Sequence, residues 1–277
     1  MFVGATQTNV TATSRLGTTV TGGVANTKGA YSELIASTNS AVYGLMINVR
    51  AVFTAATNTN MLLDIATGAA ASEVVKVADL LIGASTQGRA YFVPLSIASG
   101  ERVSARLQGA IASDTAEVAI RLYQSPLVAY TLPTALTTFG ANTTTSSGVS
   151  VTPGNGSFGS WTEIGTLAAD LDTWFVGYDL LGDTTVVSAG VLVEIGHGPN
   201  SGAVTSIGET HYVQFSDESL TGGWPLAAYR KAVLSGDKVW ARIASGEAEA
   251  RGVCIYGGTS SAPASGGGPL VHGGLVS

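Results

Sequence analysis

The side chains that could do chemistry are few in this chain, and most of those that stand out occur twice. Histidine is present only at His197, His211 and His272. A tetrahedral metal site needs three or four ligands, and no His-x-His or His-x-x-x-His spacing supplies the first two. Ser-His-Asp chemistry lacks the Gly-x-Ser-x-Gly turn that presents a nucleophile. The runs Gly22-Gly23-Val24 and Gly266-Gly267-Gly268 are not followed by the Lys-Ser/Thr of a phosphate loop. Carboxylates that could serve as an acid–base pair in glycoside hydrolysis stand at Glu33, Asp64, Glu163 and Glu194. They form two matched sets, Glu33 with Glu163 and Asp64 with Glu194, and a group kept at the same place in both halves of a chain is expected to serve the fold. Arg106 and Arg242 are also matched, and each sits mid-strand between apolar neighbours. A guanidinium there needs a carboxylate or solvent. Three readings follow, in descending order: an ion pair with the repeated acids, a solvent-facing strand position, and a binding role. The expectation is therefore no catalytic residue, no metal and no cofactor.

Aromatic residues divide the same way. Tyr31 with Trp161 and Tyr43 with Trp174 are paired across the halves and read as packing. Trp224, Tyr229 and Trp240 belong mainly to the second half, where exposed rings could stack on a sugar; a core or interface position is the stronger reading.

These residues are placed by a duplication. SGERV at 99–103 matches SGDKV at 235–239, and Ala105-Arg106-Leu107 then falls on Ala241-Arg242-Ile243. LLDIATG at 62–68 matches LVEIGHG at 192–198. Gly29, Tyr31, Glu33 and Leu34 fall on Gly159, Trp161, Glu163 and Ile164, and Tyr123 falls on Tyr256. The offset holds at 130 to 131 residues, rises to 136 through a five-residue insertion around Ala227 to Lys231, and returns to 133. A unit of this length can hold its own core, unlike the short units of a solenoid.

Short segments rich in Val, Ile, Thr and aromatics, separated by Gly, Asn, Asp and Ser, predict strands. In the first half these are Ala41–Phe53, Met61–Ile65, Tyr91–Ile97, Arg102–Leu107 and Glu117–Tyr123. In the second they are Thr173–Leu180, Val191–Ile195, Ala227–Val233, Lys238–Ile243 and Arg251–Tyr256. The one helical window is Ala70–Leu81, as a turn or short helix. The expected fold is all-β: two tandem duplicated antiparallel β-sandwich domains, jelly-roll-like, each of seven or eight strands. The immunoglobulin alternative lacks its Cys…Trp…Cys spacing. The expected divisions are an N-terminal segment 1–16, a first domain 17–123, a linker 124–147 with an extra strand at Leu127–Leu132, a second domain 148–256 and a Gly/Ser-rich tail 257–277. The tail ends in Leu270, Val271, Leu275 and Val276, which could dock on a neighbouring subunit if the tail is not simply disordered.

Composition narrows the partners. Charged residues are only 12% of the chain, half the usual share, with a net charge of −6 and 13 Lys+Arg. Nucleic-acid binding needs a basic stripe and is not expected. Mean hydropathy is +0.32, yet the most apolar stretch, Ala41–Phe53, is short and broken by Arg50, so no membrane insertion is expected. The first residues, MFVGATQTNV, do not read as a signal peptide. The lone Cys254 allows no intrachain disulfide and reads as a buried strand residue. Charge-poor Thr/Ser/Gly surfaces suit protein–protein contact.

With GTTVT and NTKGAYSELIAST at 17–38, LLDIATG, and PLSIASGERVSARLQ at 94–108 in view, the chain resembles a family of small β-sandwich proteins encoded among the virion genes of tailed bacteriophages. The resemblance covers nearly all of 17–123 and, more loosely, 148–256. It implies a non-enzymatic structural component of the particle: a decoration or cement protein, a fibre base, or a tail or baseplate adhesion module. The tandem duplication departs from single-domain members. The partners it implies are other virion proteins, of the capsid or of the tail and baseplate, with the chain on the virion after assembly in the host cytoplasm. A closed homo-oligomer is expected, a trimer first. The alternative is a receptor module of a tail fibre or baseplate that binds a host surface glycan.

Overall fold

The computed structural model describes residues 2–3, 17–52, 60–82, 89–124, 132–179, 189–216, 219–220 and 227–260. The first half contributes β1 (Phe2–Val3), β2 (Thr18–Thr21), β3 (Ser32–Ile35), β4 (Gly44–Val52), β5 (Met61–Thr67), β6 (Val74–Ile82), β7 (Arg89–Val93), β8 (Val103–Gly109) and β9 (Thr115–Tyr123). The second contributes β10 (Thr137–Phe139), β11 (Val149–Val151), β12 (Gly154–Asn155), β13 (Thr162–Thr166), β14 (Leu171–Asp179), β15 (Ala189–Gly198), β16 (Thr205–Ser216), β17 (Ser219–Leu220), β18 (Ala227–Val233), β19 (Lys238–Ser245) and β20 (Arg251–Gly258).

Alternation along the strands builds the core. In β4, Leu45, Ile47 and Val49 are buried while Met46, Asn48 and Arg50 face away; in β9, Ala116, Val118, Ile120 and Leu122 point inward. Each half folds as two facing sheets. In the first, β2-β9-β4-β7 opposes β3-β8-β5-β6, with β1 also on β9. In the second, β11-β20-β14-β18 opposes β13-β19-β15-β16, with β10 on β20, β12 on β19 and β17 on β16. This alternation of consecutive strands between two sheets is jelly-roll topology. Among the described residues no sheet draws strands from both halves. Every strand pair is antiparallel except β12 with β19.

The duplication extends to register. Asp64 is the cross-strand partner of Arg106, and Glu194 of Arg242. Gly44 pairs with Tyr123, and Phe175 with Tyr256. Both halves carry a bulge at the same place, between Glu33 and Ile35 and between Glu163 and Gly165. Gly29 and Gly159 are kept for one reason. A Cβ on Gly29 would lie 2.0 Å from the Thr21 carbonyl oxygen, and one on Gly159 2.6 Å from that of Thr152.

Three expectations are corrected. Most of the helical window Ala70–Leu81 is β6: its valines and the fit of Val77, Leu80 and Leu81 into the core favour pairing with β5. The expected linker is largely structure, because β10 extends a sheet of the second half and Asn142 and Ser147 close a turn. The strand expected at Leu127–Leu132 lies almost wholly outside the described residues. The tail begins later than expected, since β20 runs to Gly258 and Ser260 donates its amide to Asp172.

The two sandwiches meet along β6, an edge strand of its sheet. Its outward groups are taken by the second half: the Leu136 amide donates to Lys76 O (2.7 Å), and the Thr138 hydroxyl to Ala78 O (2.6 Å). The Tyr256 hydroxyl accepts from the Leu81 amide at 2.7 Å and donates to Asp79 O at 3.2 Å. Phe175, Cys254 and Tyr256, all fully buried, join the hydrophobic cluster of the first half. Gln108 donates to Thr143 O (2.6 Å), and the Ser146 hydroxyl to Asn26 (2.9 Å), as a second tie. Covering an exposed strand edge in this way removes a site for unwanted pairing.

Candidate functional site

The repeated charged residues gather on the outer face of the β3-β8-β5-β6 sheet and of its counterpart. Direct cross-strand partners have side chains within reach of each other, so register alone brings Arg106 to Asp64 and Arg242 to Glu194. The Arg106 guanidinium donates Nε to Asp64 Oδ2 at 2.7 Å; that of Arg242 donates Nε to Glu194 Oε2 at 2.5 Å. Both carboxylates are buried. Glu33 and Glu163 are not partners of these arginines: Glu33 meets Arg102 at 2.9 Å and Glu163 meets Lys238 at 2.6 Å. Arg102 and Lys238 are themselves matched positions, so the matched set gives each half a buried and an outer ion pair at the same places.

The aromatic column completes the arrangement. Arg106 stacks on Tyr31, with Cζ 4.7 Å from the ring centroid. Arg242 lies between Phe158 (4.5 Å) and Trp161 (4.4 Å). A guanidinium over a ring gains from the ring quadrupole while its edge keeps the carboxylate hydrogen bond. Burial acts against the Arg106 charge, but the hydrogen bond and charge of Asp64 outweigh it and raise its pKa. Burial raises the Tyr31 pKa, with the Arg106 charge opposing.

The cluster gains a cation in the first half at a position that is aromatic in the second. Lys28, matched to Phe158, places Nζ 2.7 Å from Asp64 Oδ1, 2.6 Å from Asp79 Oδ1 and 3.2 Å from Leu62 O. The Asp79 amide, in a left-handed conformation (φ 51°), also donates to Asp64 Oδ1 at 2.8 Å. Both Asp64 oxygens are therefore occupied, which suits a tie between strands and leaves no open site for general acid–base work. Glu194 has Arg242 as its one described partner. Arg242→Ala should accordingly lower stability more than Arg106→Ala, because Asp64 keeps Lys28 whereas Glu194 is left buried and unpaired. Chemical denaturation of the two variants measures the difference; equal losses would contradict it.

The other candidate residues are placed as follows. Trp240 is buried at 7% exposure and donates its indole N–H to Gly198 O at 2.8 Å, so its ring is not open to a sugar. Tyr229 is half-buried, with its hydroxyl bonded to Glu209 O and Thr210. Trp224, Leu270, Val271, Leu275 and Val276 lie outside the described residues. His197 faces Asp237, Nδ1 to Oδ2 2.8 Å; nothing is described for the side chains of His211 and His272. Among the described residues no group of three His, Cys, Asp or Glu could hold a metal ion. Cys254 is buried in β20. Lys28, Asp79 and the Tyr256 contact were not expected from the sequence. The Lys28/Phe158 column was legible as a position where the repeat changes chemical type, but its partner on β6 was not.

No protein-family model matches this chain, and no curated protein matches it. Among solved structures it is similar to the N-terminal CBM22-1-CBM22-2 tandem domain of Paenibacillus barcinonensis Xyn10C, at 8% identity and a TM-score of 0.22, covering 83% of this chain and 82% of that one. It is also similar to the infectious bursal disease virus VP2 subviral particle, at 13% identity and a TM-score of 0.23, covering 81% of this chain and 58% of that one. The chain thus spans less than two thirds of the length of that VP2 chain. At TM-scores this low neither likeness bears on what this chain does.

Proposed function

We propose that this chain is a non-enzymatic structural protein of a tailed-phage virion, acting through protein–protein interfaces as a surface decoration, cement or fibre-base component. The observation that carries the proposal is how its charged and polar groups are used. The repeated acids and cations tie strands together, and the buried polar contacts between the halves lock two jelly rolls into one body. That is the construction of a building element, and the resemblance of 17–123 to phage virion β-sandwich proteins supports it.

The interfaces follow from the surface. Among the described residues only Val24, Val74 and Leu234 are exposed large hydrophobics, and they stand in separate loops and strand ends. The contacts would therefore be made by charge-poor Thr, Ser, Asn and Gly surfaces rather than by an apolar patch. The partners are further copies of the chain, as a closed oligomer with a trimer first, and the capsid or tail proteins beneath it. The test is an electron-microscopy map of the intact particle, with ordered density for this chain in fixed stoichiometry as the expected result. Removal of residues 261–277 should weaken attachment without unfolding either sandwich. Glycan binding by the isolated protein, lost in Trp224→Ala, together with absence of the chain from a symmetric site on the particle, would overturn the proposal in favour of adhesion.

A further inference from the structure

The stretch of β16 short of its pairing with β17 at Gln214 and Ser216 is the counterpart of the β6 edge through which the halves dock, and the two are closed differently. Leu63 and its counterpart Val193 face Leu80 and Thr210, and Ile65 and its counterpart Ile195 face Val77 and Gly208, so Glu209 takes the place of Ala78 and Asp79 together. On β6 the Asp79 carbonyl receives the hydroxyl of Tyr256, which comes from the other sandwich. On β16 the Glu209 carbonyl receives the hydroxyl of Tyr229, which comes from β18 of the same sandwich, while Thr210 bonds the same hydroxyl. Tyr229 belongs to the insertion present only in the second half. A Cβ on Gly208 would lie 2.2 Å from the Tyr229 ring, so the ring lies directly on the strand where the first half has the side chain of Val77. Insertion, glycine and tyrosine therefore work together, and their joint effect is to fill the place of an interdomain tyrosine.

The complementary surface is also on the molecule. Tyr123 is the counterpart of Tyr256 on the outer face of β9, half-buried, edge-to-face with Phe92 at 5.4 Å. We propose that the β16 edge of the second jelly roll is a latent copy of the interdomain docking edge, held shut by Tyr229, and that its occupant when open is the Tyr123 face of another copy of this chain. The interdomain contact is heterologous, edge onto face. Repeated between chains it would run head to tail and form filaments or uncontrolled rings unless one end were blocked. Tyr229 is that block, and it leaves assembly to other surfaces.

The test is the mass of full-length variants across a concentration series by analytical ultracentrifugation. Tyr229→Ala, and to a lesser extent Tyr229→Phe, should gain a concentration-dependent species of at least twice the wild-type mass. Adding Tyr123→Ala should return the mass to that of wild type. Tyr229→Phe keeps the ring on Gly208 and removes only the hydroxyl, so it reports on the cap even if Tyr229→Ala unfolds. The proposal is overturned if folded Tyr229→Phe keeps the wild-type mass throughout, if the gained species survives Tyr123→Ala, or if Tyr123→Ala alone reduces the wild-type mass. These outcomes are independent of whether the chain resides on a virion.

Discussion

Tyr256→Ala should destabilise the protein by about 3–5 kcal/mol, the range for truncating a fully buried aromatic, and should split one melting transition into two. Tyr256 belongs by sequence to the second sandwich but is packed, at 0% exposure, into the cluster of the first. Its loss opens a cavity at the junction and leaves the Leu81 amide without its acceptor. Tyr256→Phe keeps the packing and should cost about 1–3 kcal/mol for the unsatisfied amide. Burial raises the Tyr256 pKa well above the ordinary tyrosine value. The folded state thus keeps this proton where the unfolded chain would release it, so the contribution is present below the unfolded pKa of about 10 and is lost as pH rises beyond it. Calorimetry at neutral and alkaline pH measures both effects. A single transition for Tyr256→Ala near the wild-type temperature would show that the junction does not couple the halves.

The second large effect is expected at Asp64. It is 2% exposed and is approached by Lys28, Arg106 and the Asp79 amide. Asp64→Ala leaves Arg106 without its carboxylate and Lys28 with Asp79 alone, and removal of one member of a buried ion pair costs about 3–5 kcal/mol. Asp64→Asn keeps an acceptor for one of them and should lose less. The matched change Glu194→Ala strands only Arg242, which remains held between Phe158 and Trp161, so its cost should be smaller. Urea unfolding of the three variants ranks these losses; a Glu194→Ala loss equal to or above that of Asp64→Ala would contradict the role given to Lys28.

Duplication marked Asp64, Glu194, Glu33 and Glu163 together as candidate partners of Arg106 and Arg242, and the cross-strand register makes Asp64 and Glu194 those partners. Spacing did not separate Glu33 and Glu163 from them. Those two acids pair instead with Arg102 and Lys238, since the bulge in β3 and β13 offsets the register by one residue. Ala70–Leu81 was ambiguous for a related reason. Bulges in the β5–β6 pairing break its period of two, and only contact with β5 shows it to be a strand. For Trp240 a core or interface position was the stronger reading over sugar stacking, and its burial decides between them, because a solitary tryptophan has the same sequence signature whether it is exposed or buried.

Local pattern was thus enough for an all-β chain, its division into two matched sandwiches, and the residues the fold retains. Alternation, turn residues and repetition are properties of neighbours along the chain, and they survive without knowledge of the third dimension. The junction between the sandwiches, the addition of Lys28 and Asp79 to one cluster, and the closing of β16 by Tyr229 depend on which sheet edge meets which face. Tyr123 and Tyr256 are one residue in the repeat, yet one is a half-buried surface ring and the other an internal lock. That difference arises from burial against a partner distant in sequence, which no spacing rule encodes.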